Sequence, residues 1–188
     1  LVLPYLMSEP YTDGACSNPT SKKWARAGYG VWYYDKCPRN VRCPLGGQYQ
    51  GSDRAETIAA LHAMFWHTTK TEIKVKTDNT SVRDGIEEWI KYLNGEADRP
   101  NCKQNKDMWK KIEKEIRRIG HEFVQVEWVR GHATEQDVEE KRTKQEEKYG
   151  NDQADRLAVE GRKEHEGVDK RAKEESERKM VTKIEHRM

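Results

Sequence analysis

Nowhere in this chain do two cysteines form a Cys-x-x-Cys pair, and no histidine completes zinc-finger spacing with Cys16, Cys37, Cys43 or Cys102. A structural zinc is therefore not expected. Cys37 and Cys43 flank a turn at Pro38 and could meet across a hairpin; reduced thiols in an intracellular protein are the preferred reading. Phenylalanine is scarce, at two residues, and no apolar run approaches the roughly 20 residues of a membrane span. The opening Leu1-Val2-Leu3-Pro4-Tyr5-Leu6-Met7 is too short, and it lacks the basic start and small-residue cleavage site of a signal peptide. No membrane partner is expected. A surplus of one charge is missing too: 35 basic and 33 acidic residues leave +2, so any site for a polyanion must be local.

What is present is charge. Charged residues make up 36% of 188, against 34% hydrophobic, which allows one domain of roughly 150 residues with a proper core, plus a tail. The start at Leu1 rather than Met suggests a piece of something longer. Residues 5–13 read as a first strand, although Pro10 cannot donate a ladder hydrogen bond. Arg26 to Tyr34 alternates as a second strand, and Cys43 to Tyr49 is a weaker third, giving an antiparallel meander. Ser52 can cap a helix running to about His67, with Ile58, Leu61, Met64 and Phe65 at helical spacing. Glu72 to Thr77 is a fourth strand, in parallel after the helical crossover. Thr80 to Leu93 and the segment from Asn105 or Asp107 to Gly120 read as helices, and His121 to Val129 as the fifth strand. Residues 134–149 hold six acidic and four basic residues, so a solvated loop or exposed helix is expected. A last helix restarts at Asn151, and the tail of residues 164–188, with Met180, Val181, Ile184 and Met188 as a thin apolar edge, is expected to be a frayed helix or disordered.

Chemistry is expected where acids meet element ends. In Tyr11-Thr12-Asp13-Gly14, glycine lets the chain turn with a carboxylate at the end of an extended run, the place where α/β proteins bind ligands. One Asp-Gly is weak, since most such pairs are hairpin turns. Glu56 at a helix start, Asp78 after the fourth strand and Asp155 in the last helix add weight. Four acids brought together would repel one another without a cation, and magnesium needs only a few hard oxygen ligands.

Seven features in order, Thr12-Asp13-Gly14 with Asn18-Pro19, Arg54-Ala55-Glu56, Thr77-Asp78, Arg83-Asp84-Gly85-Ile86 leading to Trp89-Ile90, Asn105-Lys106-Asp107-Met108-Trp109, Glu127-Trp128-Val129-Arg130-Gly131-His132-Ala133, and Asn151 four before Asp155, resemble a type 1 ribonuclease H. The resemblance spans residues 8–163, read as the catalytic domain after a lead-in of residues 1–7. It implies an α/β fold with a five-stranded mixed sheet, three antiparallel strands then parallel ones, flanked by helices. It also implies hydrolysis of the RNA strand of RNA–DNA hybrids with two magnesium ions, manganese substituting. By motif match the metal-binding acids are Asp13, Glu56, Asp78 and Asp155, with Asp152 a decoy. His132 takes a proton-handling role, although a loop histidine alone is more often an exposed bystander. Gly14 and Asn18, with Glu56 near, would read the 2′-hydroxyls that mark RNA. Ser52 and Asn105 would hold a DNA phosphate, where Ser52 as a helix cap is the plain alternative. Trp89 either stacks on a DNA sugar or belongs to the core.

The chain departs from that pattern in three places. Gly51 and Ser52 stand where a Thr and an Asn are frequent. The basic helix that often follows Trp89 is shortened to Lys91–Asp98, with two acids, which predicts weaker hybrid binding and a shallower salt slope. His132 and Asp155 are separated by 23 positions, about twice the usual gap. The rival reading is a catalytically silent module of the same fold that binds nucleic acid or protein within a longer polypeptide. A monomer is expected.

Overall fold

The computed structural model describes the backbone of residues 8–21 and 24–185 and the side chains to His165. The lead-in of residues 1–7 lies outside the described residues, as do the side chains of the apolar edge proposed for the tail.

Five strands form one mixed sheet: β1 (Tyr11–Ser17), β2 (Arg26–Trp32), β3 (Val41–Pro44), β4 (Ile73–Thr77) and β5 (Val124–Trp128), in the order β3-β2-β1-β4-β5. The first three pair antiparallel, while β4 runs parallel to β1 and to β5. Alternation splits the two faces as strand geometry requires. Ala27 and Val31 face helix α1 (Ser52–Phe65), in clusters with Ala55, Ala59 and Ala63, whereas Trp32 joins Tyr11, Ala154 and Leu157 on the other side. That second face is covered by α5 (Gln145–Glu185).

Helices α2 (Thr80–Leu93) and α3 (Lys106–Ile119) complete the main core. Ile86, Ile112, Ile116 and Ile119 are fully buried there with Met64 and Val75. Each such side chain contributes about 1.5–3 kcal/mol on burial. No described helix is long and apolar enough to cross a membrane.

Several boundaries differ from expectation, each for a local reason. β1 starts after Pro10, which lacks an N–H, and continues past Asp13 to Ser17 because β2 pairs with it throughout. β3 ends at Pro44; beyond it Gly46 and Gly47 interrupt the ladder, and Gln50 takes over, accepting from Ala27 N (2.8 Å) and donating to the carbonyls of Leu45 and Gly47 (both 2.7 Å). In α1 the buried face is Ala55, Ala59, Ala60, Ala63 and Met64, while Phe65 is 55% exposed. Small side chains let the helix axis approach the sheet, and that close fit outweighs the larger residues at similar spacing.

Of the two readings of the charged insertion, solvated loop and exposed helix, the helical one holds. A short helix, α4 (Glu135–Glu139), opens at a reciprocal cap between Thr134 and Asp137. α5 then begins at Gln145, six residues before Asn151. Glu147 accepts from Lys144 N (3.2 Å), and Tyr149 packs edge-on against Trp32 with its hydroxyl donating to Asp35 (2.9 Å). The helix runs unbroken through residues 164–185.

Candidate metal and nucleic-acid site

The parallel ladder between β1 and β4 stops at Thr12 and Thr77, so the next residues, Asp13 and Asp78, stand where adjacent strands part. Trp128 Nε1 donates to the Asp78 carbonyl (3.0 Å) and Val129 N to the Thr77 carbonyl (3.0 Å), which fixes the end of β4. Glu56 arrives from the opposite direction, in the early turns of α1. Gly14 makes this approach possible: a Cβ there would lie 2.5 Å from Glu56 N and 2.8 Å from Ala55 Cβ.

Carboxylate oxygens of Asp13, Glu56 and Asp78 lie within 4.8 Å of one another, with Asp13 and Glu56 each 6% exposed. Burial, then the Asp78 charge, push the Asp13 carboxyl up to about 7. Burial and the facing Asp13 hold Glu56 well above the carboxylate range. Asp78 is also raised by burial, opposed by a hydrogen bond from Asn151 Nδ2 (3.3 Å). Glu56 Oε2 is buried with no hydrogen-bond partner. An orphaned carboxylate oxygen amid like charges is costly unless a proton or cation arrives. Hard, crowded oxygen donors of this kind fit a divalent cation.

Asp155 is not in this tight trio. It is half-buried on α5, near enough that its charge raises both Asp13 and Asp78. Its position follows from helix seating: Gly30, paired with Asp13 across β1–β2, lets α5 rest on the sheet, and a Cβ there would sit 2.3 Å from the Ala154 carbonyl. Asp152 pairs with Lys148 (2.7 Å).

His132 is exposed beyond β5, at φ 48°, a left-handed conformation uncommon for a residue with a side chain. Asn18 is exposed and left-handed too (φ 49°), its side chain donating to the Trp24 carbonyl (3.4 Å). Ser52 does not cap α1; Gly51 holds the cap position, and Ser52 is exposed at the start of the helix. Asn105 stands at the cap position of α3 but at φ 49°, and its side chain makes no capping bond. Its Oδ1 is turned to accept from Arg54 Nη1 (3.3 Å), and Arg54 also pairs bidentately with Asp107 (2.6 and 3.0 Å). Ser52, Arg54, Asn105 and Tyr49 line an open groove of about 720 Å³. Trp89, left open between sugar and core by the sequence, is 3% exposed and packs in the core with Ile86 and Ile112.

Two contributors were read from sequence only as motif positions. Asn151, 2% exposed, donates to Asp78, a target that required coordinates. Arg54 was read only as part of a motif. Its partner Asp107 is 53 positions away.

The RNase H family model matches residues 8–163. The chain belongs to the RNase H family. Ribonuclease H of Parvibaculum lavamentivorans is 31% identical over 157 residues, covering 81% of this chain and 90% of that protein. Ribonuclease H of Schizosaccharomyces pombe is 30% identical over 155 residues, and there the chain spans 82% of itself but about half (52%) of the relative. Among solved structures, the RNase H domain of PFV superposes with a TM-score of 0.57 at 22% identity, covering 82% of this chain and 93% of that domain. The foamy viral protease-reverse transcriptase in complex with an RNA/DNA hybrid gives 0.58 at 18%, covering 86% of this chain and 21% of that one. These two likenesses concern the fold: the five-stranded mixed sheet flanked by helices is that of the RNase H domains.

Proposed function

We propose that this RNase H-family chain is a metal-dependent endonuclease that hydrolyses the RNA strand of RNA–DNA hybrids. The observation that carries the reading is the buried trio Asp13, Glu56 and Asp78, with one Glu56 oxygen left without a partner. Bound divalent cations, two magnesium ions with manganese as a substitute, supply the Lewis acidity and water activation that phosphodiester hydrolysis requires.

The chain's own residues supply the rest. Asp13, Glu56 and Asp78 would hold the ions, with Asp155 on α5 joining them. Asn151 donates to Asp78 and so keeps one of its oxygens oriented. The scissile strand lies over the gap between β1 and β4, where the backbone at Gly14 and the exposed Asn18 meet its 2′-hydroxyls, the groups absent from DNA. The DNA strand runs along the groove at α1 and α3, where Ser52, Asn105 and Arg54 offer donors to a phosphate. Arg54 is held in place for this by Asp107.

His132 exchanges a proton with the attacking water or the leaving oxygen at the edge of the site. His132→Ala is expected to lower kcat about 10²-fold with little change in KM, measured by steady-state cleavage of a labelled hybrid. The reading as a whole is tested by magnesium-dependent cleavage of a labelled RNA–DNA hybrid by the wild type and by Asp13→Asn. Silence from both proteins, with hybrid still bound, would assign the fold to binding alone.

A further inference from the structure

His132 sits at the tip of a five-residue loop, and one side chain holds both of its stems. Two positions before the histidine, Arg130 Nε lies 3.0 Å from Asp137 Oδ1. Two positions after it, Thr134 N and Thr134 Oγ1 donate to Asp137 Oδ2 at 2.8 and 2.7 Å. Arg142 Nε donates to the first oxygen as well (2.8 Å), so both carboxylate oxygens are engaged from several directions. Asp137 is 5% exposed, whereas His132 and Thr134 are exposed. A buried carboxylate therefore grips an exposed loop from beneath.

The grip matters because of what the loop holds. His132 occupies the left-handed region, which costs on the order of 1 kcal/mol for a residue with a side chain and persists only where the surroundings impose it. Ala133 next to it is buried, which pins one more point of the loop. Asp137 itself belongs to the acidic insertion, whose α4 is tied to α5 through Lys148, 3.4 Å from Glu135 and 2.7 Å from Asp152. The insertion thus connects the His132 loop to the helix that carries Asp155.

We propose that Asp137 is a positioning residue for His132, its carboxylate closing the 130–134 loop so that the imidazole is presented to the acidic cluster. The inference rests on the role given to His132 above. The insertion is then a brace that rigidifies the proton-handling residue, in place of a loop that swings freely.

Asp137→Asn removes the charge that both arginines need while keeping the side chain's size. It is expected to lower kcat about fivefold to tenfold with KM within twofold, because misplacing a catalytic group costs turnover before binding. In a His132→Ala background the same substitution should change kcat by less than twofold, since no imidazole is left to misplace. Thr134→Val, a milder loss at an exposed position, should give a smaller decrease that also vanishes in that background. Hydrogen exchange of the amides of residues 130–134 should quicken in Asp137→Asn, the Thr134 amide most of all, while the exchange of β4 and α1 is unchanged. Equal decreases with and without His132, or loop exchange that stays as slow as in the wild type, would overturn the proposal. A wild type that cleaves no hybrid would refute the role of His132 and the catalytic half of the inference together. The exchange measurement would then still decide whether Asp137 holds the loop.

Discussion

Asp13→Asn is expected to lower cleavage of an RNA–DNA hybrid by on the order of 10³-fold or more while leaving the metal-free protein more stable than the wild type at pH 8. The loss follows from removing one charge from a donor set built to hold cations. The gain follows from linkage. The Asp13 carboxyl rises from an ordinary 3.8 to about 7 in the folded chain, so the fold binds this proton more tightly than the unfolded chain does. A raised folded value gives stability that is fully present below about pH 4 and is lost as pH climbs through about 7. At 1.36 kcal/mol per unit the loss approaches about 4 kcal/mol. Asparagine never ionises, so it escapes that loss.

Half-buried His62 and buried His67 act in the opposite sense, because burial holds them below the usual histidine range and their cost fades as pH rises. The measurement is therefore the difference in melting temperature between variant and wild type. In EDTA it should widen from pH 5 to pH 8 in favour of Asp13→Asn. Added magnesium should narrow or reverse it, because the wild type then gains binding energy that the variant lacks. A constant difference across that window, indifferent to magnesium, would mean that the carboxylates do not act as one cluster.

Gly14→Ala should destabilise the fold by about 2–3 kcal/mol and weaken cation binding together. The new methyl meets the Glu56 backbone nitrogen at 2.5 Å and Ala55 Cβ at 2.8 Å, and neither is the tip of a flexible side chain. β1 and the start of α1 must move apart, which draws Glu56 away from Asp13. Gly51→Ala is the control, since nothing lies within 4 Å of its added carbon and only the poorer helix cap remains, so its effect should stay within about 1 kcal/mol. Denaturant midpoints give the stability, and magnesium titration of the melting temperature gives the binding. Equal effects of the two alanines would remove the argument that Gly14 sets the approach of Glu56.

These effects centre on residues that could be read before any coordinates. Asp13, Glu56 and Asp78 were legible because each occupies a place fixed by local pattern, beside a strand's end or a helix's beginning, and the main core followed the period of Val82, Ile86, Ile112 and Ile116. Asp155 was legible as a motif position, but its separation from the tight trio depends on how α5 seats on β2, which no local pattern carries. The insertion was left open between loop and exposed helix for a related reason. Hydrophobic spacing is silent there, and the segment is ordered by capping, ion pairs and Tyr149 against Trp32, interactions whose partners lie up to 117 positions away. In α1 spacing pointed to Phe65, whereas the close fit of alanines against the sheet decided the buried face. Trp89 was left open between sugar and core, and only packing could settle that.

The seam where α5 lies on Gly30 has a bearing on how such a centre is tuned. Three acids are anchored by strands and by α1, but the fourth is carried on a rod whose height above the sheet depends on the bulk of residues beneath it. Padding or thinning that bed would shift Asp155 like a jaw on a vice, altering the grip on an ion without changing a single donor atom.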